Sequence, residues 1–481
     1  MEKIKVGNIV LIDGYHIKIK IDKELKVDRL ASFGDVKEYL IEVNKLLYST
    51  LIDQRKIILK TVNIYCDEGK NIYAEARFIG IYEPSEKKFD RGINSFPVIM
   101  SPVYYLLESD YNEISSQFSN LLMIGNSFSF QNVKIYADIN ILLGKHLSVF
   151  GNTGTGKSCT IASILQSIGG NVDLNEKVKI IIFDPNSEYK IACESVFKDK
   201  ITLIEKGTLK LPHSILSESE YVRLFDASSG VQAPILIDAI RSLKGSGKHF
   251  DINALYDKIQ SIVKTKGNDY TQNQYQGWVN TMQGRIKSRF VENEELMNIL
   301  NSESNNVAEF ISSNNKLAII EGDYDKYELD IIVYLLCKYL YQIKIDKFET
   351  KHLIVVFEEA HRYINNDETQ EYKLGNYYIE RLAREGRKFV ISLIISSQRP
   401  SELSHVITSQ CNSVILHRLT NKYDLEYIAK SVPLEYSDLI KIVQGLEKQY
   451  ALVTGEAFKF PEIVKINKAH PLPNSDDPKI I

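Results

Sequence analysis

The most informative segment of the sequence is Gly151-Asn152-Thr153-Gly154-Thr155-Gly156-Lys157-Ser158. It matches GxxxxGK[ST] at every fixed position, with an apolar strand predicted before it (residues 147–150) and a helix predicted after it (residues 159–168). This strand, turn and helix setting is what makes the pattern informative. Glycines let backbone N–H groups surround phosphate oxygens, and the positive end of the helix faces them. The alternative is a glycine-rich turn without a ligand, and the complete motif favours nucleotide binding.

The loop predicts ATP and Mg²⁺ as cofactors. Lys157 is long enough to reach the β and γ oxygens of the nucleotide, and the hydroxyl of Ser158 can hold the metal. The predicted nucleotide-binding residues are Gly151, Asn152, Thr153, Gly154, Thr155, Gly156, Lys157, Ser158 and Cys159.

A second apolar strand, residues 353–357, ends in two acids, Glu358 and Glu359. A hydrolysing P-loop enzyme needs one carboxylate near Mg²⁺ and another that orients the attacking water. These sequence positions predict Glu358 as a metal ligand and Glu359 as the catalytic base. The first position usually holds aspartate, and the extra methylene of Glu358 predicts weaker or water-mediated coordination. Two solvated acids at a strand end are the alternative.

Two further groups are candidates for catalysis. A strand at residues 390–396 leads to Gln398, whose amide could sense a γ-phosphate or position water, although a polar strand end is the alternative. Upstream, Arg381 and Arg384 lie three apart on a predicted helix face, which Arg387 or Lys388 continues. Such a run is usually a solvated surface. In a ring ATPase, Arg384 or Arg387 could instead reach a neighbour's γ-phosphate as an arginine finger.

The pattern of strands and helices predicts an α/β core. Apolar runs of four to seven residues alternate with helical stretches from about residue 120, which is typical of a parallel sheet covered on both faces. The predicted core strands are residues 147–150, 178–183, 317–320, 353–357, 390–396 and 413–416, with a final hairpin from 450–453 and 458–464 around Gly455. The polar, mostly helical residues 212–311 are predicted to be an inserted bundle.

The first hundred residues predict a small β-barrel or sandwich. Residues 9–12 and 15–21 flank Asp13-Gly14, a strong hairpin signal. A second strand pair is expected at residues 61–66 and 72–82, with one helix at residues 36–51. The domain prediction is 1–115 (barrel), 116–211 (core, first part), 212–311 (helical insertion), 312–468 (core, second part) and 469–481 (a disordered or docking tail).

The sequence resembles the HerA branch of the HerA/FtsK superfamily. The motifs that carry the resemblance are the P-loop, residues 181–189 (IIFDPNSEY), Glu358-Glu359-Ala360-His361, residues 384–388 (REGRK) and Ser397-Gln398-Arg399-Pro400, in matching order and spacing. The resemblance implies a RecA-like P-loop ATPase core preceded by a small barrel. It also implies a homo-hexamer with ATP at subunit interfaces and double-stranded DNA in the central channel, with Arg384 preferred over Arg387 as the trans finger. The role of the Asp184 and Glu188 pair stays open.

Relatives of this kind commonly work beside a nuclease or another effector, NurA-like or Sir2-like, in DNA-end processing or anti-phage defence. The chain has no recognisable nuclease motif of its own, so a partner is expected. Candidate DNA contacts are the basic residues 244–249 and 285–289, although a charge run is more often a solvated face. The formal net charge of −3 lacks the basic signature of a passive nucleic-acid coat.

Composition predicts a cytoplasmic protein. The five cysteines are scattered singly without a CxxC pair, which fits a reducing compartment. The N-terminus alternates polar and apolar residues, so no export is expected. The apolar run at residues 331–343 is too short to span a bilayer and predicts a buried helix, so no membrane association is expected.

Three functions are consistent with these observations. The first is an ATP-driven DNA translocase or helicase, which would be independent of base sequence because its contacts go to phosphates. The second is a nucleotide-bound ring scaffold that assembles and regulates an effector without productive translocation, an option kept open by Glu358 and the near-neutral charge. The third is a conjugation or secretion ATPase of the same superfamily, against which the lack of a predicted membrane anchor argues.

Overall fold

The computed structural model describes residues 3–475 except 15, 24, 26–29, 34–35, 40, 116–119, 131–132, 246–249, 267–271, 346–350, 366–373 and 432–438. The chain divides into two compact units. The first unit comprises Met1–Ser167, Gln398–Ser401 and Cys411–Ile481, and the second comprises Ile168–Ser397 and Glu402–Gln410.

The strands are β1 (Lys5–Asp13), β2 (His16–Ile21), β3 (Leu30–Phe33), β4 (Val36–Tyr39), β5 (Leu46–Thr50), β6 (Lys56–Cys66), β7 (Ile72–Glu83), β8 (Lys88–Asp90), β9 (Pro102–Tyr105), β10 (Leu121–Ser127), β11 (Lys134–Asp138), β12 (His146–Phe150), β13 (Val178–Asp184), β14 (Ile201–Glu205), β15 (Leu317–Glu321), β16 (His352–Phe357), β17 (Ile391–Ser397), β18 (Cys411–His417), β19 (Tyr450–Gly455) and β20 (Glu462–Ile466). The α-helices are α1 (Glu108–Ser115), α2 (Ile139–Gly144), α3 (Lys157–Gly170), α4 (Val172–Lys177), α5 (Lys190–Phe197), α6 (Glu218–Leu224), α7 (Gln232–Lys244), α8 (Ile252–Lys266), α9 (Gln272–Ile286), α10 (Glu294–Leu300), α11 (Asn306–Ser312), α12 (Lys326–Ile345), α13 (Leu374–Glu385), α14 (His405–Gln410) and α15 (Lys422–Ser431).

The N-terminal part of the first unit is a closed barrel of six strands in the order β2-β1-β9-β5-β6-β7. A β2–β7 pairing closes it, and β8 pairs with β7 outside the ring. Both predicted hairpins are confirmed, since Asp13 pairs with His16 and β6 runs antiparallel to β7. Strand β2 alternates partly exposed and buried residues, as expected for a strand that covers a core on one face.

The predicted helix at residues 36–51 is wrong, because that segment contains β4 and β5. Strand β5 lies between β6 and β9 in the barrel, and four of its five residues are buried. A short apolar run without clear periodicity can form either a helix or a buried strand. Here hydrogen-bonded pairing with β6 on one side and β9 on the other stabilises the strand.

The rest of the first unit holds the P-loop strand. Its strands follow the order β11-β10-β20-β19-β18-β12. Strand β18 is parallel to β12 and antiparallel to β19, and β19 forms the predicted hairpin with β20. The predicted strand at residues 413–416 is therefore confirmed. Residues 469–471 contact α3, where the His470 N–H donates to Gln166 Oε1 and the Gln166 amide donates to Pro471 O.

The second unit contains a parallel sheet in the order β17-β16-β13-β15-β14. Every residue of β13 and β17 is buried, as the unbroken apolar runs predicted. Strand β14 was not predicted; it is a partly exposed edge strand, and its mixed sequence ITLIE gives no clear pattern. Val390 lies outside β17 because its φ of 58° closes the turn before the strand.

The helical insertion and the apolar helix are also present. Helices α6 to α11 fill most of residues 212–311, and α12 buries most of the apolar run at residues 331–343. None of the helices in the described part of the chain combines the length and apolar content needed to span a membrane. The exact division into five segments stays a prediction.

Candidate nucleotide-binding site

The P-loop joins the end of β12 to the first residue of α3. Gly154 and Gly156 have φ values of 73° and 119°, a backbone region that L side chains rarely adopt, so the loop requires glycine at these positions. Lys157 is buried, and its Nζ lies 3.3 Å from the carbonyl oxygen of Asn152 across the loop. An ammonium held across a turn at the start of a 14-residue helix fits the β and γ phosphates of a nucleotide.

Neighbouring segments of the first unit hold the loop in shape. The Asn152 N–H donates to Arg418 O at 2.9 Å, and its side-chain amide donates to Thr420 Oγ1 at 2.8 Å. On the other side, the Gln449 N–H donates to Thr155 O at 3.0 Å. These bonds fix the backbone before any ligand arrives, which lowers the ordering cost of binding.

Gln398 contacts the P-loop directly. Its Oε1 accepts a hydrogen bond from Thr153 Oγ1 at 2.5 Å. The structure thus brings together two residues predicted from separate motifs, 245 positions apart. An amide in this position can register a change at the phosphate end of the loop, as expected of a γ-phosphate sensor.

Glu358 lies at the end of β16 in the second unit and is buried. Its carboxyl group accepts hydrogen bonds from the Tyr189 hydroxyl and from the Glu359 N–H. Burial raises the pKa of Glu358 to about 8, an effect that the Tyr189 hydrogen bond only partly offsets. A carboxyl group that holds its proton at neutral pH is a poor metal ligand, and the proposed Mg²⁺ role of Glu358 stays a prediction.

Glu359 adopts a left-handed backbone conformation with φ of 46°, which is uncommon for a residue with a side chain. Such strain is often found at functional sites. The ring of His361 helps to hold the Glu359 side chain, since His361 Nδ1 lies 3.3 Å from Glu359 Oε2 and 3.2 Å from Ser397 Oγ. Sequence reasoning gave His361 no role; its position two residues after the predicted base was the available signal.

Asp184 and Glu188 form a turn after β13. Asp184 Oδ2 accepts the N–H groups of Glu188 (2.8 Å) and Tyr189 (3.0 Å), so the carboxyl shapes the turn that delivers Tyr189 to Glu358. Burial, with the nearby Glu188 charge, raises the pKa of Asp184 to about 7. The role of this pair that the sequence left open is therefore at least structural.

The candidate arginines lie in different surroundings. Arg384, near the end of α13, is 57% exposed and has an ion pair with Glu380 at 3.5 Å. Arg387 lies in the turn after α13 and donates to Gln410 O at 2.9 Å. Arg381 packs over the Tyr341 ring and pairs with Glu385. The side chain of Arg384 is more exposed than that of Arg381, at 57% against 41%.

The basic segments proposed for DNA contact are only partly described. Lys244 donates to Leu216 O at 2.7 Å, and residues 246–249 lie outside the described residues. Arg285 forms an ion pair with Asp226 at 2.9 Å and donates a hydrogen bond to Gln232 Oε1. Its guanidinium therefore links segments within the helical insertion. The DNA role of these segments stays a prediction.

The comparisons with known proteins agree with the geometry of this site. The profile described as "Helicase HerA, central domain" matches residues 122–340. The chain therefore resembles HerA-type proteins, and it is a P-loop ATPase. A probable helicase of Methanocaldococcus jannaschii is 28% identical over 361 residues, covering 72% of this chain and 67% of that protein. The DNA double-strand break repair helicase HerA of Pyrococcus furiosus is 23% identical over 453 residues, covering 83% of this chain and 78% of that protein.

A solved structure of similar fold supports the fold class of this HerA-like chain. The bacterial conjugative coupling protein TrwB, in an unbound form, superposes with a TM-score of 0.50 at 12% identity, covering 74% of this chain and 90% of that one. At this identity the likeness concerns the fold alone. The predicted α/β class with a RecA-like core, an N-terminal barrel and a helical insertion is confirmed.

Proposed function

We propose that this HerA-like ATPase uses ATP to move along, or unwind, double-stranded DNA without regard to base sequence. The observation that supports this proposal most directly is the geometry of the P-loop. Lys157 is held across the loop, and Gln398 is hydrogen-bonded to Thr153. A strand-end amide attached to the phosphate loop provides a route from γ-phosphate loss to movement of the chain. The similarity to proteins named as helicases supports double-stranded DNA as the substrate.

The proposed chemistry assigns one task to each side chain. Lys157 contacts the β and γ phosphates, Glu359 orients and deprotonates the attacking water, and Gln398 senses the γ-phosphate. Bound Mg²⁺ would neutralise the developing charge. Among the described residues, no group of three His, Cys, Asp or Glu side chains could hold a metal ion, so Ser158 and the phosphate oxygens would supply most of the metal's ligands.

DNA-stimulated ATP hydrolysis tests this proposal. We expect wild-type protein to hydrolyse ATP faster with duplex DNA, and Glu359→Gln to bind ATP with similar affinity but hydrolyse it at least about 100-fold more slowly, the scale of loss for a general base. Equilibrium binding of a fluorescent ATP analogue separates the two effects. Hydrolysis that is retained in Glu359→Gln would rule out its role as base, and a wild type indifferent to DNA would rule out the motor.

We further propose that the active assembly is a homo-hexamer in which Arg384 reaches the nucleotide of the neighbouring subunit. The exposed guanidinium of Arg384 supports this choice over Arg387, whose guanidinium is bonded to Gln410 O. Mixing Arg384→Ala with Lys157→Ala subunits should restore part of the hydrolysis, because some interfaces then combine an intact P-loop with an intact arginine. No recovery at any mixing ratio would contradict a trans role.

A nuclease or another effector, NurA-like or Sir2-like, is the proposed partner, in DNA-end processing or anti-phage defence. This part of the proposal rests on the HerA resemblance and on the lack of a recognisable nuclease motif in the sequence. Co-purification with the product of the adjacent gene, followed by a nuclease assay of the complex, tests it. A neighbour that neither binds nor changes activity would argue against it.

A second candidate function is a nucleotide-bound scaffold that regulates an effector without productive translocation. The buried, hydrogen-bonded Glu358 favours it, because a protonated carboxyl at the usual metal position slows hydrolysis more than it weakens binding. The Glu359→Gln variant separates the two functions. Effector activation that survives this change supports the scaffold, and its loss supports the motor.

A further inference from the structure

His417, the last residue of β18, lies directly behind the P-loop and is fully buried. A Cβ atom added to Gly151 would come within 2.5 Å of His417 Cβ, and one added to Gly156 would lie 3.3 Å from His417 Cε1. The histidine therefore occupies the space that these two glycines leave empty. No sequence motif pointed to this residue.

Both ring nitrogens of His417 are engaged, by different elements. Nδ1 lies 3.1 Å from the carbonyl oxygen of Tyr450, at the start of β19, and Nε2 lies 2.8 Å from Thr160 Oγ1, in the first turn of α3. A carbonyl only accepts, so Nδ1 carries the proton, and Nε2 of the neutral ring accepts from the Thr160 hydroxyl. The Thr160 hydroxyl also lies 3.0 Å from Gly156 O, a second acceptor, which receives the Thr160 N–H at 2.9 Å as well.

The surroundings keep this ring neutral. Burial, reinforced by the positive charge of Lys157, lowers the pKa of His417 to about 3, although the Tyr450 carbonyl acts in the opposite direction. A neutral ring accepts from Thr160 and does not repel the lysine that receives the phosphates. The hydrogen-bond direction and the local charge are therefore consistent with each other.

A buried histidine with two hydrogen bonds is usually a core residue without a role in ligand binding. Two observations distinguish His417 from that case. Its Nε2 partner belongs to the helix turn that begins directly after the P-loop glycines, and its ring backs two of those glycines. A change at this ring is thus transmitted to the P-loop through a single hydrogen bond.

We propose that His417 is a positioning residue for nucleotide binding, acting through Thr160 to fix the first turn of α3 and the direction of Lys157. The inference rests on the proposed use of the P-loop for ATP and adds a residue that no P-loop motif contains. His417 does not touch the nucleotide. Its effect falls on affinity, because its hydrogen bonds hold the P-loop and the first turn of α3.

Two substitutions at position 417 separate the two hydrogen bonds. His417→Asn places its amide near the former Nδ1 and keeps the bond to Tyr450 O, whereas His417→Gln places its carbonyl oxygen near the former Nε2 and keeps the bond from Thr160. Thr160→Val removes the partner hydroxyl without changing the shape of the side chain, and Thr160→Ser is the matched control that retains the hydroxyl. The probes are a fluorescent ATP analogue with Mg²⁺ for Kd, steady-state ATP hydrolysis for kcat and KM, and thermal unfolding without nucleotide.

We expect His417→Asn and Thr160→Val each to raise Kd and KM for ATP about tenfold, the loss of one well-placed hydrogen bond, with kcat changed less than about twofold. His417→Gln and Thr160→Ser should bind within about threefold of wild type. The double variant His417→Asn/Thr160→Val should be no weaker than the worse single variant, because both remove the same bond.

Several outcomes would overturn the inference. One is a wild-type Kd in His417→Asn. Another is a double variant whose losses multiply, and a third is a Gln variant as weak as the Asn variant at equal unfolding temperature. A wild-type protein that does not bind ATP would overturn the proposed function as well. Failure of the proposed function is thus distinguished from failure of the His417 inference, in which wild type still binds ATP.

Discussion

At the scale of single residues, adjacent acids acquire different properties from their surroundings. Glu358 is buried and hydrogen-bonded by Tyr189, whereas Glu359 lies in a left-handed turn beside His361. Burial favours the neutral form of a carboxyl group, so Glu358 keeps its proton near neutral pH. The two side chains therefore differ in their chemistry, and the proposed role of catalytic base belongs to Glu359.

This difference predicts a pH dependence of stability. The folded pKa of Glu358, about 8, lies above its ordinary value of 4.5, so its contribution to stability is complete below pH 4.5 and is lost as the pH rises towards 8. Glu358→Gln, which resembles the protonated form, should lose less free energy of unfolding than wild type between pH 5 and 8, by at least about 1 kcal/mol. Urea unfolding at several pH values measures this difference. Parallel curves for the two proteins would show that Glu358 is ionised in the folded state.

At the scale of elements, one glutamate ties the helical insertion to the helix that carries Arg384. Glu220 completes the capping box at the start of α6 with Ser217. Its carboxylate also pairs with Lys338 of α12 at 3.0 Å and accepts from the Tyr378 hydroxyl of α13. Because three helices meet at one largely buried carboxylate, α13 depends on the insertion for its position.

Glu220→Ala should therefore destabilise the protein, by about 3 kcal/mol, because it removes a helix cap and leaves the largely buried Lys338 without its ionic partner. Glu218→Ala is the matched control, since Glu218 lies in the same first turn but pairs with the exposed Arg241. The control should change stability little. Urea unfolding of both variants is the measurement, and equal effects would show that neither the cap nor the three-helix junction makes the expected contribution.

At the scale of the whole molecule, the first unit is assembled from both ends of the chain. Lys60 of the barrel and Glu462 of β20 form an ion pair at 3.4 Å although they lie 402 positions apart, and both side chains are fully buried. Lys60 also donates to Pro461 O at 2.6 Å, and Glu462 accepts from Ser129 at 3.0 Å. The barrel is thus joined to the hairpin whose first strand, β19, provides the Tyr450 carbonyl to His417.

Breaking this pair on one side should cost about 3–5 kcal/mol, because a buried charge loses its partner, whereas replacing both residues should cost less. We therefore expect Lys60→Met to lower the unfolding free energy more than Lys60→Met/Glu462→Met does. Calorimetry or urea unfolding measures both variants. A double variant that is less stable than Lys60→Met would show that the ion pair itself contributes less than the other hydrogen bonds of Glu462.

Local sequence patterns were enough to predict the P-loop, the buried core strands and the two barrel hairpins. Those features follow from residues close together in the chain: glycines in one turn, unbroken apolar runs and an Asp-Gly turn. Tertiary structure alone decided that residues 46–50 form a barrel strand, that Gln398 bonds Thr153, that Glu358 keeps its proton and that His417 backs the P-loop. Each of these depends on contacts between residues distant in sequence. Burial and partner choice arise only from such contacts, so no local pattern encodes them.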